Sequence, residues 1–289
     1  NTTIRNHARI PEALRAYDEH GCIEGLFKRG NTEAQREFYN LILDAGVIDS
    51  KVRDDDWNGR KWRLGLYRAG LISYKNVSTE NQGRITKTGR ALLNASNEAE
   101  LEDVFLRIIY NLEIWHDAFK EVPFRPVLLI LKVMKLLRDS GERESINQKE
   151  FIISIQDYRP ELNAKDYFNE IIQFRKDVAL NEGKLKDFYE KIFKEVLKRN
   201  HKSPNFDTTT KEYPDVTFRF LKLSGLFKTE GSKLILNSQY DKLLDVLSAD
   251  EAISESEENY YSKIANLPEI PIDVNRDILE SIVTENFET

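Results

Sequence analysis

Along most of the chain, apolar residues recur three or four positions apart, and the gaps between such stretches hold glycine, proline or short polar clusters. That period buries one face of a helix, so the pattern predicts a mainly α protein. Residues 11–20 open on Pro11-Glu12 and stop at Gly21; residues 32–45 carry Phe38, Leu41, Ile42 and Ala45. Thr32-Glu33-Ala34-Gln35 fits a capping box at the start of that second helix, and Gly46 closes it. Trp62, Leu66 and Ala69 mark an amphipathic helix over 57–69, which Gly70 ends because glycine takes the left-handed conformation without a Cβ clash. Leu71-Ile72-Ser73-Tyr74 and Arg84-Ile85-Thr86 then read as two short strands around the polar loop 76–83. Helices over 88–95 and 101–114 follow. Beyond the two prolines of 121–126, the apolar run 127–137 predicts a buried helix, and 147–154, 164–174, 185–198 and 214–223 predict further ones.

Part of this pattern occurs twice. Setting Gly70 on Gly225 places Leu66 on Leu221, Leu71 on Leu226 and Ile72 on Phe227. With a wing loop four residues shorter, Ile85 falls on Leu236, Thr86 on Asn237, and Leu92-Leu93 on Leu243-Leu244. A supporting helix, a second helix, a tight stop and a two-stranded wing is the order of a winged helix-turn-helix. The expected architecture is therefore mainly α with small β wings: two winged-helix subdomains, 1–122 and 123–250, joined at the two-proline stretch, and an acidic connector over 251–289.

Charge changes the picture once it is divided. The 289 residues carry a net charge of −6, but from Asp245 onward twelve acids face only Lys263 and Arg276, leaving the preceding chain positive by four. Within 51–90, ten basic residues stand against four acids. Local charge sets phosphate attraction within a Debye length of ~8 Å, so this stretch points to duplex DNA. A solvated charged face is the plain alternative. With Cys22 as the single cysteine, the chain has no internal disulfide framework or cysteine-rich zinc site. No apolar run approaches the ~18 residues of a membrane span, and 1–10 lack a signal-peptide pattern, so a cytoplasmic protein is expected.

In a winged helix the start of the second helix faces the major groove and the wing follows phosphates. The candidate DNA contacts at that start are Arg53, Asp54, Asp55, Asp56, Trp57, Asn58, Arg60, Lys61 and Arg63. Arginine donates two parallel hydrogen bonds to guanine, Asn pairs with adenine, and Asp accepts from cytosine. The three carboxylates act as base acceptors, as clamps that orient Arg60 and Arg63, or only as an acidic first turn favouring the helix dipole. Lys75, Arg84 and Lys87 lie on the wing, and Lys28-Arg29 form a basic turn ahead of it. The second unit offers Arg199, His201, Lys202, Thr208, Thr209, Lys211 and Arg219, its threonines meeting phosphates or merely capping the helix. Trp57 is placed to meet DNA, whereas Trp62 and Trp115 read as core.

Catalytic constellations do not emerge. A magnesium nuclease needs carboxylates converging from adjacent strands, and the one tempting match, Asp177 with Glu182-Gly183-Lys184, falls in helical, solvated sequence. His7, His20, His116 and His201 show no ligand spacing, and no phosphate loop or dinucleotide fingerprint is present. No catalytic or metal-ligating residue and no cofactor are therefore assigned to this chain.

Several blocks resemble the N-terminal part of type IIS restriction endonucleases and the related large nicking-endonuclease subunits. They are Arg84-Ile85-Thr86-Lys87-Thr88-Gly89-Arg90-Ala91-Leu92-Leu93, Asp103-Val104-Phe105-Leu106, Ile172-Gln173-Phe174-Arg175, 218–227, Leu234-Ile235-Leu236-Asn237 and 260–268. The resemblance implies a monomeric module that recognises a short asymmetric site in double-stranded DNA. It also implies a separate magnesium-dependent nuclease domain that cuts outside the site, so this chain alone is expected not to cleave DNA. A winged-helix transcription regulator and a protein-interaction module are the rival expectations.

Overall fold

The computed structural model describes the chain except residues 1–5, 22, 24, 25, 27–29, 74–82, 116–122, 200–205, 250, 251 and 267–289, and except the side chains of 197–199 and 206–213. It is mainly helical with one small antiparallel sheet, and its contacts divide it into two units. One unit holds 11–96 with 256–289; the other holds 1–10 with 97–255. The divisions fall after residues 10, 96 and 255, whereas the sequence pattern places boundaries at 122–123 and 250–251.

The first unit packs α1 (Ile10–His20), α2 (Thr32–Asp44), α3 (Asp56–Arg68), α4 (Lys87–Asn94) and α12 (Glu257–Ala265). Leu14, Tyr17, Phe38, Ile42, Leu66, Leu71 and Ile264 are almost wholly buried and form its core. α2 starts one residue earlier than its capping-box reading implies. Asn31, not Thr32, caps it, accepting a hydrogen bond from the Ala34 amide at 3.3 Å, while Gln35 is buried. α3 crosses α2 so closely that a Cβ on Gly59 would stand 2.0 Å from the Gln35 carbonyl oxygen. At the far end of α3, Gly70 has φ 70° and the Leu71 amide returns to the Leu66 carbonyl at 3.0 Å, the helix stop the pattern predicts. Ile72 bridges Ile85, and Thr86 then caps α4 by accepting from the Gly89 amide at 2.9 Å.

α12 lies inside the stretch expected to be a connector, and it is core instead. Tyr260 and Ile264 are buried, the Tyr260 hydroxyl donates to the Arg68 carbonyl at 3.2 Å, and Tyr261 stacks on Tyr67 at 4.3 Å. A Cβ on Gly70 would meet the Ile264 carbonyl oxygen at 2.6 Å, so that glycine serves a turn and a close approach together.

The second unit contains α5 (Glu98–Tyr110), α6 (Pro126–Asp139), β1 (Ile146–Asn147), α7 (Gln148–Ile153), α8 (Ala164–Leu180), α9 (Leu185–Arg199), α10 (Phe206–Lys222), β2 (Phe227–Glu230), β3 (Lys233–Leu236) and α11 (Leu244–Ala249). α5 stops four residues before the periodicity ends, because Ile114 leaves the helix to bridge Phe124. α6 is buried along Val127, Leu128, Ile130, Leu131, Val133, Met134 and Leu137, and packs against α8 and α11. β1, too short to be read from the sequence, pairs with β3, which pairs with β2, giving the order β1-β3-β2. α10 begins at Phe206, not at Pro214: the proline sits inside the helix, although its missing amide makes the first turn its usual place. Ala252 and Ser254, also expected in the connector, are held by this unit: Arg125 donates to the Ala252 carbonyl at 3.1 Å and the Ser254 hydroxyl to Glu113 at 2.9 Å.

The internal repeat is present at the helix stop and the bridge that follows it, although the Leu226 amide donates to the Ser224 hydroxyl where the Leu71 amide donates to the Leu66 carbonyl. Gly225 has φ 63° beside Gly70 at 70°. The Asn237 amide donates to Leu226 at 2.8 Å as the Thr86 amide donates to Leu71 at 3.1 Å. The Asn237 side chain donates to the Gly225 carbonyl as the Thr86 hydroxyl donates to that of Gly70. Phe227 pairs with Leu236 as Ile72 pairs with Ile85. In the second unit α8 and α9 are inserted ahead of the repeat's helix; in the first, α2 leads almost directly to it.

His7, on a short turn before α1, packs its ring 4.6 Å from Phe220 of α10. Burial, and secondarily the Arg219 charge, push its imidazole down from 6.5 to about 4. A depressed folded pKa means the folded state binds fewer protons, so this packing contributes fully above pH 6.5 and loses its contribution as pH falls toward 4. Thermal unfolding at pH 4.5 should therefore destabilise the wild type by on the order of 2 kcal/mol more than His7→Phe, each relative to its own value at pH 7.5. Equal pH profiles would place His7 in solvent.

Candidate nucleic-acid interface

α3 begins on a run of three carboxylates, and each is already engaged. Asp55 is the N-cap, accepting from the Asn58 amide at 2.9 Å and the Asn58 side chain at 2.6 Å. Asp54 holds a left-handed backbone, φ 57°, which costs a non-glycine residue strain. Asn40 of α2 secures it at two points: its amide nitrogen donates to the Asp54 carboxylate at 2.7 Å, and its oxygen accepts from the Asp54 amide at 3.1 Å. Asp56 lies 3.8 Å from Arg36 and adds negative charge to the helix N-terminus. These carboxylates build the entrance to α3. The clamp expected between them and the arginines is replaced by other partners, and Asn58 is spent on the cap.

Arg63 is likewise corrected. It points inward, 9% exposed, and donates to the Leu26 carbonyl at 2.9 Å, sharing the inner face of α3 with Gly59, Trp62 and Leu66. Arg53 pairs with Asp44 at 2.8 Å. That hydrogen bond, more than the bare charge, holds the Asp44 carboxyl below its usual range.

The outward stripe of α3 is of a different kind. Trp57, Arg60 and Lys61 project together at i, i+3 and i+4. Trp57 is 54% exposed, with the Arg60 guanidinium 5.8 Å and the Lys61 ammonium 5.5 Å from its ring centre. Val52, just ahead of the cap, is 60% exposed. Two of the five large apolar side chains exposed among the described residues thus flank one helix start, beside two cations. Arg84 is exposed next to the bridging residue Ile85, and Lys87 is exposed at the start of α4. Beside the entrance to α3 an open hollow differs in sign: it is lined by Glu33, Glu37, Asp44 and Asp54 against His20 and Arg36.

Of the second unit's candidates, Arg219 is exposed and paired with Asp215 one turn earlier at 2.6 Å. Thr208, Thr209 and Lys211 fall within α10 and Arg199 ends α9, but their side chains lie outside the described residues, as do Lys28, Arg29, Lys75, His201 and Lys202. Lys222 and Lys228, at the end of α10 and on β2, are also exposed in this unit.

Asp177 accepts from Gln173 on α8, and Glu182 and Lys184 sit on the helical turn after it, not on paired strands. Among the described residues no three His, Cys, Asp or Glu side chains gather to hold a metal ion. None of the described helices is long and apolar enough to cross a membrane.

A family model described as AlwI restriction endonuclease matches residues 67–288, well over half of the chain. The match begins inside α3, so Trp57, Arg60 and Lys61 precede it. No curated protein matches by sequence. Among solved structures, the chain is similar to the BpuJ1 endonuclease binding domain, crystallised in complex with pyrene- and phenanthrene-modified DNA. That likeness has a TM-score of 0.54 at 10% identity, over 89% of this chain and 90% of the other, and it speaks for a shared fold.

Proposed function

Because the chain belongs to the AlwI restriction endonuclease family, we propose that it forms a duplex-DNA recognition module with two winged-helix units, serving a type IIS enzyme. The observation that carries this reading is the start of α3, where Trp57, Arg60 and Lys61 face outward while the neighbouring carboxylates are taken up within the unit. Such a helix start inserts into the major groove, where Arg60 offers guanine O6 and N7 a bidentate donor. Arg84 beside the Ile72–Ile85 bridge and Lys87 at the start of α4 then neutralise phosphates and set register without reading bases. Two similar but non-identical units in one chain fit a short asymmetric site read by a monomer, and a cytoplasmic location is part of the same reading. Base reading by these side chains needs no metal. Cleavage is assigned to a magnesium-dependent nuclease domain of the parent enzyme.

Selection from randomised duplex DNA, followed by salt titration, tests the proposal. Arg60→Ala should cost ~1–3 kcal/mol on the selected site and relax preference at one base pair. Lys87→Ala should weaken selected and random duplex alike and reduce the salt slope by about one unit. If Arg60→Ala lowers every affinity equally while Lys87→Ala shifts the preferred base, helix and wing have exchanged roles. A chain with no salt-dependent duplex binding would instead be a protein-interaction module.

A further inference from the structure

Arg60 and Lys61 account for charge at the start of α3, but they do not account for Trp57 and Val52. A large indole left 54% exposed and a valine left 60% exposed, within six residues of each other, put apolar surface where a purely electrostatic contact would have none. They are held there. Asp54 between them keeps its left-handed backbone through both hydrogen bonds to Asn40, and Asp55 fixes the first turn of α3. Arg60 and Lys61 flank the Trp57 ring at cation–π distance, so the indole stays upright on the outward stripe. Duplex DNA presents one exposed apolar group in the major groove, the C5 methyl of thymine, and its recognition is by apolar contact.

We propose that Val52 and Trp57 form a contact for a pyrimidine C5 methyl group, which makes Trp57 a specificity-determining residue. The inference rests on α3 being the reading helix. The two cations give this apolar spot its charge complementarity to the duplex, and they leave the methyl as the group that fills it. Indole insertion between base pairs is the competing arrangement, but Trp57 projects with Arg60 and Lys61 along a helix flank whose cations would have to follow it into the base stack.

The test uses the whole chain and the duplex recovered by selection, with each thymine replaced in turn by deoxyuridine. At one position the wild type should lose affinity about fourfold, corresponding to the ~0.8 kcal/mol of one buried methyl. Trp57→Ala should bind the thymine and deoxyuridine duplexes equally at that position, whereas Trp57→Phe should retain part of the discrimination. Trp57 is exposed, so both variants should keep the wild-type circular dichroism; Val52→Ala, which should reduce the penalty in part, gives an independent arm. An undiminished deoxyuridine penalty in Trp57→Ala overturns the proposal, as does the absence of a penalty at every thymine. A Trp57-dependent rise in 2-aminopurine fluorescence within the site overturns it in favour of insertion. If no duplex is preferred over random DNA, the recognition reading itself falls, and this contact with it.

Discussion

Gly59→Ala should lower the stability of the first unit by about 3 kcal/mol and abolish specific DNA binding, although alanine is the better helix former by ~1 kcal/mol. The added Cβ would stand 2.0 Å from the Gln35 carbonyl oxygen, 2.9 Å from its carbon and 3.2 Å from the Tyr39 Cβ. The nearest atoms are backbone, so no side-chain rotation relieves the clash and α3 must move away from α2. Phe38, Ile42, Trp62 and Leu66 are buried across those two helices, and separating them opens the core beneath α3. Urea denaturation followed by circular dichroism measures the loss. Gly183→Ala is the control, because nothing lies within 4 Å of its added Cβ and its backbone angle is ordinary; it should be neutral or slightly stabilising. A midpoint for Gly59→Ala equal to that of Gly183→Ala would refute the close crossing.

Arg175→Ala should destabilise the second unit by about 3–5 kcal/mol, the usual cost of stranding one partner of a buried ion pair. Its Nε donates to Glu150 at 2.9 Å, and its Nη2 donates to the Ser145 carbonyl at 2.6 Å. Its Nη1 reaches the Arg143 carbonyl at 3.1 Å. The Glu150 side chain is only 5% exposed, and its second oxygen accepts from the Asn147 amide at 2.8 Å to complete the capping box of α7. One guanidinium therefore ties α8 to the turn before β1 and to the start of α7. Combining Arg175→Met with Glu150→Gln should cost less than the sum of the single changes, because the stranded charge is gone while an amide can still serve the cap. Additive losses in a double-mutant cycle would show that the pair is not coupled.

Arg175 also shows how the resemblance to known endonucleases divides between fold and site. It stands in one of the matching blocks, and its hydrogen bonds make it a structural residue. Thr86, Gly89 and Leu92 in another block cap and pack α4: Gly89 would place a Cβ 2.3 Å from the Leu71 carbonyl oxygen. Trp57, Arg60 and Lys61, by contrast, precede the family match altogether.

What the sequence by itself determined is local. The helices, their glycine stops at Gly70 and Gly225 and the repeat that aligns them follow from a 3.6-residue period and from backbone angles that glycine alone adopts freely. A few neighbouring residues decide each of these features, so the two similar helix-stop units could be placed from them, with Trp57, Arg60 and Lys61 among the candidates at the start of α3. Partners distant in the chain decided the rest. Arg63 looked like one more cation of a basic helix until its neighbours put the Leu26 carbonyl in reach. Asp54 and Asp55 read as base acceptors, clamps or an acidic first turn, and only the tertiary structure supplied their partners, Asn40 and the first turn of α3. α12 read as acidic connector because its charges dominate its composition, yet Tyr260 and Ile264 complete the core over α4 and Gly70. Gly59 carries no turn signal, since its reason is an approach of α2 that only folding creates. Periodicity and caps are settled within a helical turn, whereas the destination of a charged side chain depends on which backbone groups folding leaves beside it.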